Sequence, residues 1–74
     1  MISVKVCYKA SGRPCKGAKV TVGFDGLLRG MSKTLYSDSD GMCHFDNDPG
    51  NGTVYVNGSG THTGRLQGVT VVYI

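Results

Sequence analysis

Apolar and polar residues alternate with a period of two at the start of the chain. Ile2, Val4, Val6 and Tyr8 interleave with Ser3, Lys5, Cys7 and Lys9. Successive side chains of a strand point to opposite faces, so this run predicts a strand over 2–9 with the even positions inward. A second alternation sets Ala18, Val20, Val22 and Phe24 against Lys19 and Thr21, and predicts a strand over 17–25. Shorter runs predict strands at 33–37 around Leu35 and Tyr36, at 42–46, 53–56, 61–66 and 69–74. On this reading Cys43 and Phe45 face the core and His44 faces outward. Residues 26–32 have no clear period and read as a loop whose Leu27 and Leu28 cap one end of the core.

The segments between the strands carry turn chemistry. Gly12-Arg13-Pro14-Cys15-Lys16-Gly17 reads as a hairpin-like corner that ends one strand and launches the next. Pro14 fixes φ and lacks a donor, which suits a strand entry and not a strand interior. Asp38-Ser39-Asp40-Gly41 supplies side-chain acceptors for nearby backbone N–H groups and a glycine for positive φ. Asn47 to Gly52 and Asn57 to Gly60 are further dense clusters of turn residues. Six or seven short strands punctuated this often predict a small all-β sandwich of two sheets, with antiparallel strands, over 1–74 as one domain.

Composition agrees with strands. Twelve residues are glycine, glutamate is absent and alanine occurs only at 10 and 18, so good helix formers are scarce. A core drawn from so few large aliphatic residues is thin. No apolar run approaches the length of a membrane span, and the first residues lack the regions of a signal peptide. If Met1 is the native start, the expected compartment is the cytoplasm.

The net charge of +3 is unevenly placed. Lys5, Lys9, Arg13, Lys16 and Lys19 all precede the first acid, Asp25, and every acid lies between 25 and 48. A basic face built on Lys5, Lys9, Lys16 and Lys19 would suit an anion or nucleic acid. The plainer reading is a solvated sheet face with lysines blunting an edge.

The residues Gly12-x-Pro14-x-x-Gly17-Ala18-x-Val20-x-Val22, followed by Ser37-Asp38-Ser39-Asp40-Gly41 and Phe45, then Pro49-Gly50 and Val54-Tyr55-Val56, form a pattern. It resembles the transthyretin-like (prealbumin-like) β-sandwiches known as carboxypeptidase regulatory-like domains, over about residues 2–58. The resemblance implies a β-sandwich accessory module, and such modules are appended to many unrelated proteins, so it implies no activity. An adhesin-type isopeptide bond would need an Asn in the last strand, and 68–74 contains none. The hydroxyisourate hydrolase branch would end in a Tyr-Arg-Gly-Ser motif, whereas this chain ends Val71-Val72-Tyr73-Ile74. Nothing corresponds to the metal centre of a carboxypeptidase.

Cys7, Cys15 and Cys43, with His44 and His62, are the soft-ligand residues. A thiol- or metal-dependent protein would use these cysteines, but no two are spaced two to four apart as zinc sites favour. Alternation also sends residues 43 and 44 to opposite faces. Cys7 and Cys15 flank the first corner, and a disulfide between them depends on their Cα separation. Asp38, Asp40, Asp46 and Asp48 lack the closing Glu of a calcium loop. Asn51-Gly52-Thr53 and Asn57-Gly58-Ser59 match glycosylation acceptors and read as loop chemistry.

These readings converge on a non-enzymatic structural or protein-binding module with no cofactor. The expected interaction edge is Val69, Val71, Val72 and Ile74, because that last strand is apolar on both faces. It would pair with a partner protein or a second copy, as a dimer whose contact includes Val72 and Ile74.

Overall fold

The computed structural model describes residues 1–26 and 29–74. The capping role expected of Leu27 and Leu28 lies outside the described residues. Among the described residues there is no helix, and therefore no helix long and apolar enough to cross a membrane.

Eight strands are formed: β1 (Ile2–Cys7), β2 (Lys19–Phe24), β3 (Gly30–Met31), β4 (Leu35–Tyr36), β5 (Met42–Phe45), β6 (Gly50–Val56), β7 (Ser59–Leu66) and β8 (Gly68–Tyr73). One sheet has the order β5-β1-β8; the other has the order β3-β2-β6-β7, with β4 also paired to β2. The all-β two-sheet sandwich expected from the sequence is what forms. Its pairings are antiparallel except one: β1 and β8 run parallel, Ile2 beside Gly68 through Cys7 beside Tyr73.

Two-residue alternation builds the core. Ile2, Val4, Val6, Cys43, Phe45 and Val72 of the first sheet pack against Val20, Val22, Phe24, Val54, Val56 and Leu66 of the second. Each large aliphatic or aromatic side chain so buried contributes about 1.5–3 kcal/mol. The Cα radius of gyration, 11.3 Å, matches the roughly 11 Å expected of a close-packed chain of this length.

The first corner carries the chain from one sheet to the other. Tyr8 N–H donates to the Arg13 carbonyl and Cys15 N–H to the Val6 carbonyl, each at 2.8 Å, so residues 13–15 run beside the end of β1. Gly12 and Gly17 have φ of 72° and 78°, values that an L side chain resists. Ser37, buried, ties the corner to β2. Its Oγ accepts from Ala18 N–H at 2.8 Å and donates to the Cys15 carbonyl at 2.5 Å.

Several expectations need correction. β1 stops at Cys7, so Tyr8 is exposed and not inward. Cys7, on the outward side of the pleat, is nonetheless buried, because its cross-strand neighbours Tyr73 and Pro14 shelter it. Residues 26–32 contain β3, which pairs with Gly23 and Phe24. β6 begins at Gly50, inside a cluster read as turn. A Cβ at Gly52 would lie 2.5 Å from the Gly23 carbonyl oxygen, so this glycine permits close strand approach. The β6–β7 hairpin needs only Asn57-Gly58, both at positive φ (52° and 86°), the pattern of a type I′ turn.

Candidate functional site

The four outer edges of the two sheets differ sharply. β3 and β4 are two residues each. β7 is interrupted by a bulge: Val54 is opposite His62 and Tyr55 opposite Gly60, leaving Thr61 as the extra residue. The Thr61 hydroxyl turns back to donate to the Val54 carbonyl at 3.1 Å.

On β5, the register with β1 and the bond from Val6 N–H to the Gly41 carbonyl turn the backbone of Cys43 and Phe45 inward. Met42 and His44 therefore face the free side. Asp38 occupies both backbone groups of Met42, its Oδ1 accepting from Met42 N–H at 2.9 Å and its own N–H donating to the Met42 carbonyl at 3.1 Å.

β8 has none of these protections. Ile74 N–H donates to the Cys7 carbonyl (2.9 Å) and Lys9 N–H to the Ile74 carbonyl (2.8 Å), so the even-numbered residues turn their backbone to β1. By alternation, the N–H and C=O groups of Val69, Val71 and Tyr73 point away from it. No strand pairs with them among the described residues. Their side chains lie on the outer face of the sheet, 58%, 44% and 55% exposed, with Ile74 at 39%. Val72, included in the expected edge, is only 2% exposed. It faces the core, because its parity along the strand is opposite to that of Val71 and Tyr73. Contact through the Val72 side chain is thereby corrected. Between β8 and the bulge of β7 runs an open groove of about 420 Å³, lined by Lys9, Thr61, Val71, Val72 and Tyr73.

The four lysines expected to share one face do not. Lys5 stands on the outer face of the first sheet, beside Val71. Lys19 stands on the outer face of the second, beside Tyr36. These faces point in opposite directions. Lys9 lies at the groove and Lys16 on the corner.

The cysteines are three free, buried thiols. Cys15 and Cys43 belong to the core cluster, whereas Cys7 does not. Burial, and secondarily the negative Asp38, pushes the Cys43 thiol up to about 11. The Tyr8 phenol is raised from its ordinary value, chiefly by the neighbouring Cys15 thiol. Among the described residues no three His, Cys, Asp or Glu side chains gather closely enough to hold a metal ion.

Two features were not read from the sequence. Ser3 and His44 are cross-strand neighbours, with Ser3 Oγ 2.8 Å from His44 Nδ1. That is two members of a hydrolytic triad, but among the described residues no third side chain is bonded to the imidazole to orient it. Only the β1–β5 register, invisible in a single sequence, brings the pair together. Arg29 lies over the Phe24 ring at 4.2 Å and donates to the carbonyls of Pro49 (3.0 Å) and Asp48 (2.5 Å). It fastens the β5–β6 connection to the end of β2.

Comparison with family models, with curated proteins and with solved structures finds no match to this chain. The structure defines a class by architecture, a small two-sheet β-sandwich in which, among the described residues, β8 is an unprotected edge strand.

Proposed function

We propose that this chain is a non-enzymatic protein-binding module of the transthyretin-like, carboxypeptidase regulatory-like type, and that β8 is its recognition strand. A strand supplied by a partner protein, or by a second copy, extends the sheet beyond β8. The observation that carries this reading is the contrast between the edges: β5 is capped by Asp38, β7 is broken at Thr61, and β8 offers three outward-directed backbone positions beside three exposed apolar side chains. Natural sheets ordinarily blunt such an edge. The corner at 12–18 and the two-sheet layering support the family reading, which rests on sequence resemblance.

Amide hydrogen exchange tests the proposal. The amides of Val69, Val71 and Tyr73 are expected to exchange rapidly in the dilute chain. They should slow when β-strand peptides are added or the chain is concentrated to millimolar. No slowing at these positions under any of these conditions overturns the reading.

A further inference from the structure

Charge along the molecule is segregated in space as well as in sequence. Every charged side chain on β1, β7 and β8, and on the corner between β1 and β2, is cationic: Lys5, Lys9, Arg13, Lys16 and Arg65. All five carboxylate side chains lie between Asp25 and Asp48, on the end of β2 and the connections around β3, β4 and β5. Those connections serve the edges remote from β8, since β5 and β8 are on opposite sides of β1. The unprotected edge thus carries no carboxylate side chain, and neither does the neighbouring edge strand β7.

Two lysines flank the free backbone groups. Lys5 is paired in register with Val71, and its side chain shares the outer face with Val69, Val71 and Tyr73. Lys9, exposed, lines the groove at the other end of the strand with Val71, Val72, Tyr73 and the bulged Thr61. A strand added beside β8 would alternate its own side chains between these two places. One set would lie on Val69, Val71 and Tyr73; the other would enter the groove next to Lys9.

A second copy suits this edge poorly. Pairing β8 with β8 about a two-fold axis brings only cationic side chains, Lys5 and Lys9 of each copy, near the joined edge, with no carboxylate side chain on β8 to meet them. Pairing β8 with β5 of another copy is obstructed by Asp38, which already occupies the free backbone groups of Met42.

Resting on the strand-addition reading above, we infer that the occupant of the β8 edge is an extended acidic segment of a partner protein. Its apolar side chains lie over Val69, Val71 and Tyr73, and a carboxylate enters the groove to meet Lys9. Backbone pairing supplies adhesion, and the carboxylate supplies choice of partner and a salt-dependent on-rate.

The probes are three synthetic heptapeptides alternating Val with Glu, with Lys or with Thr, titrated into the isotope-labelled chain and followed by amide NMR shifts. The Glu peptide is expected to shift Val69, Val71, Tyr73 and Lys9, and to bind about tenfold more tightly than the Thr peptide at low salt. The advantage should shrink as salt rises. Lys9→Glu, an exposed position whose dispersed spectrum will show that the chain folds, is expected to reverse the order of the Glu and Lys peptides. Equal binding of all three peptides at β8 overturns the acidic partner and leaves strand addition standing. Binding of none, with no concentration-dependent shift, overturns strand addition itself. A concentration-dependent shift of β8 without peptide, insensitive to Lys9→Glu, assigns the edge to a second copy and overturns the partner inference.

Discussion

Gly41 and Val6 are locked backbone to backbone: Val6 N–H donates to the Gly41 carbonyl at 2.8 Å, and a methyl group on Gly41 would overlap the Val6 carbonyl oxygen. The same methyl would sit 3.1 Å from Pro14 Cβ and 3.3 Å from Cys15 N. This is where β1 exchanges one neighbour for another, β5 giving way to the corner.

Gly41→Ala therefore meets two penalties. Its φ of 76° costs an L residue about 1–2 kcal/mol, and the overlap with backbone adds to that. Gly12→Ala is the control, with a similar φ of 72° and nothing within 4 Å of the added methyl. In thermal melts, Gly12→Ala should lower Tm by about 4–16 °C, taking about 4–8 °C per kcal/mol, and Gly41→Ala distinctly further. Equal losses would show that the approach to Val6 relaxes at no cost.

Asp38 ties the same turn to acid stability. The bond from Met42 N–H does most to hold its carboxyl below the ordinary value of 3.8; desolvation opposes this, and the Asp40 N–H and His44 assist it. A carboxyl depressed in the fold gives its full stabilisation above the unfolded-state value and loses it as pH falls through the folded-state value. Stability against denaturant should therefore drop below pH 3.8, and Asp38→Asn should drop less steeply there while being the weaker protein at neutral pH. Parallel pH profiles for the two proteins would remove Asp38 from the account.

Cys43 should be chemically silent in the folded chain. With its thiol pushed up to about 11, only roughly a thousandth is thiolate at pH 8. Iodoacetamide at that pH, followed by peptide mass mapping, should leave Cys43 unmodified in native protein and modify all three cysteines in denaturant. Rapid native labelling of Cys43 would show that β5 opens readily.

His62 has a different fate. Its Nε2 is buried and has no hydrogen-bond partner among the described residues, which costs about 1–3 kcal/mol. His62→Leu should raise Tm by about 4–8 °C for each kcal/mol recovered, whereas His62→Gln should not. A fall in Tm with Leu would show that the ring nitrogen is satisfied in solution.

The legibility of this fold in its sequence was uneven for identifiable reasons. β1, β2 and β5 announced themselves because one face is buried and the other solvated, which writes a period of two directly into Ile2-Val4-Val6 and Val20-Val22. β6 began three residues earlier than its pattern shows, because Gly50 and Gly52 are there for close approach of chains and look locally like turn residues. The apolar character of β8 was visible. Its facing was not, because a run apolar on both sides carries no parity, and only pairing with β1 turns Val72 inward. The dispersal of Lys5 and Lys19 to opposite faces likewise depends on a crossover between sheets. Ser3 and His44 met through a strand register that composition and spacing do not encode.

The side-by-side union of β1 with β8 has a kinetic meaning. β1 is synthesised with one flank destined for residues made more than sixty positions later. Until Gly68 to Tyr73 are made, that flank of β1 has no strand beside it, and the first sheet can be completed only after them.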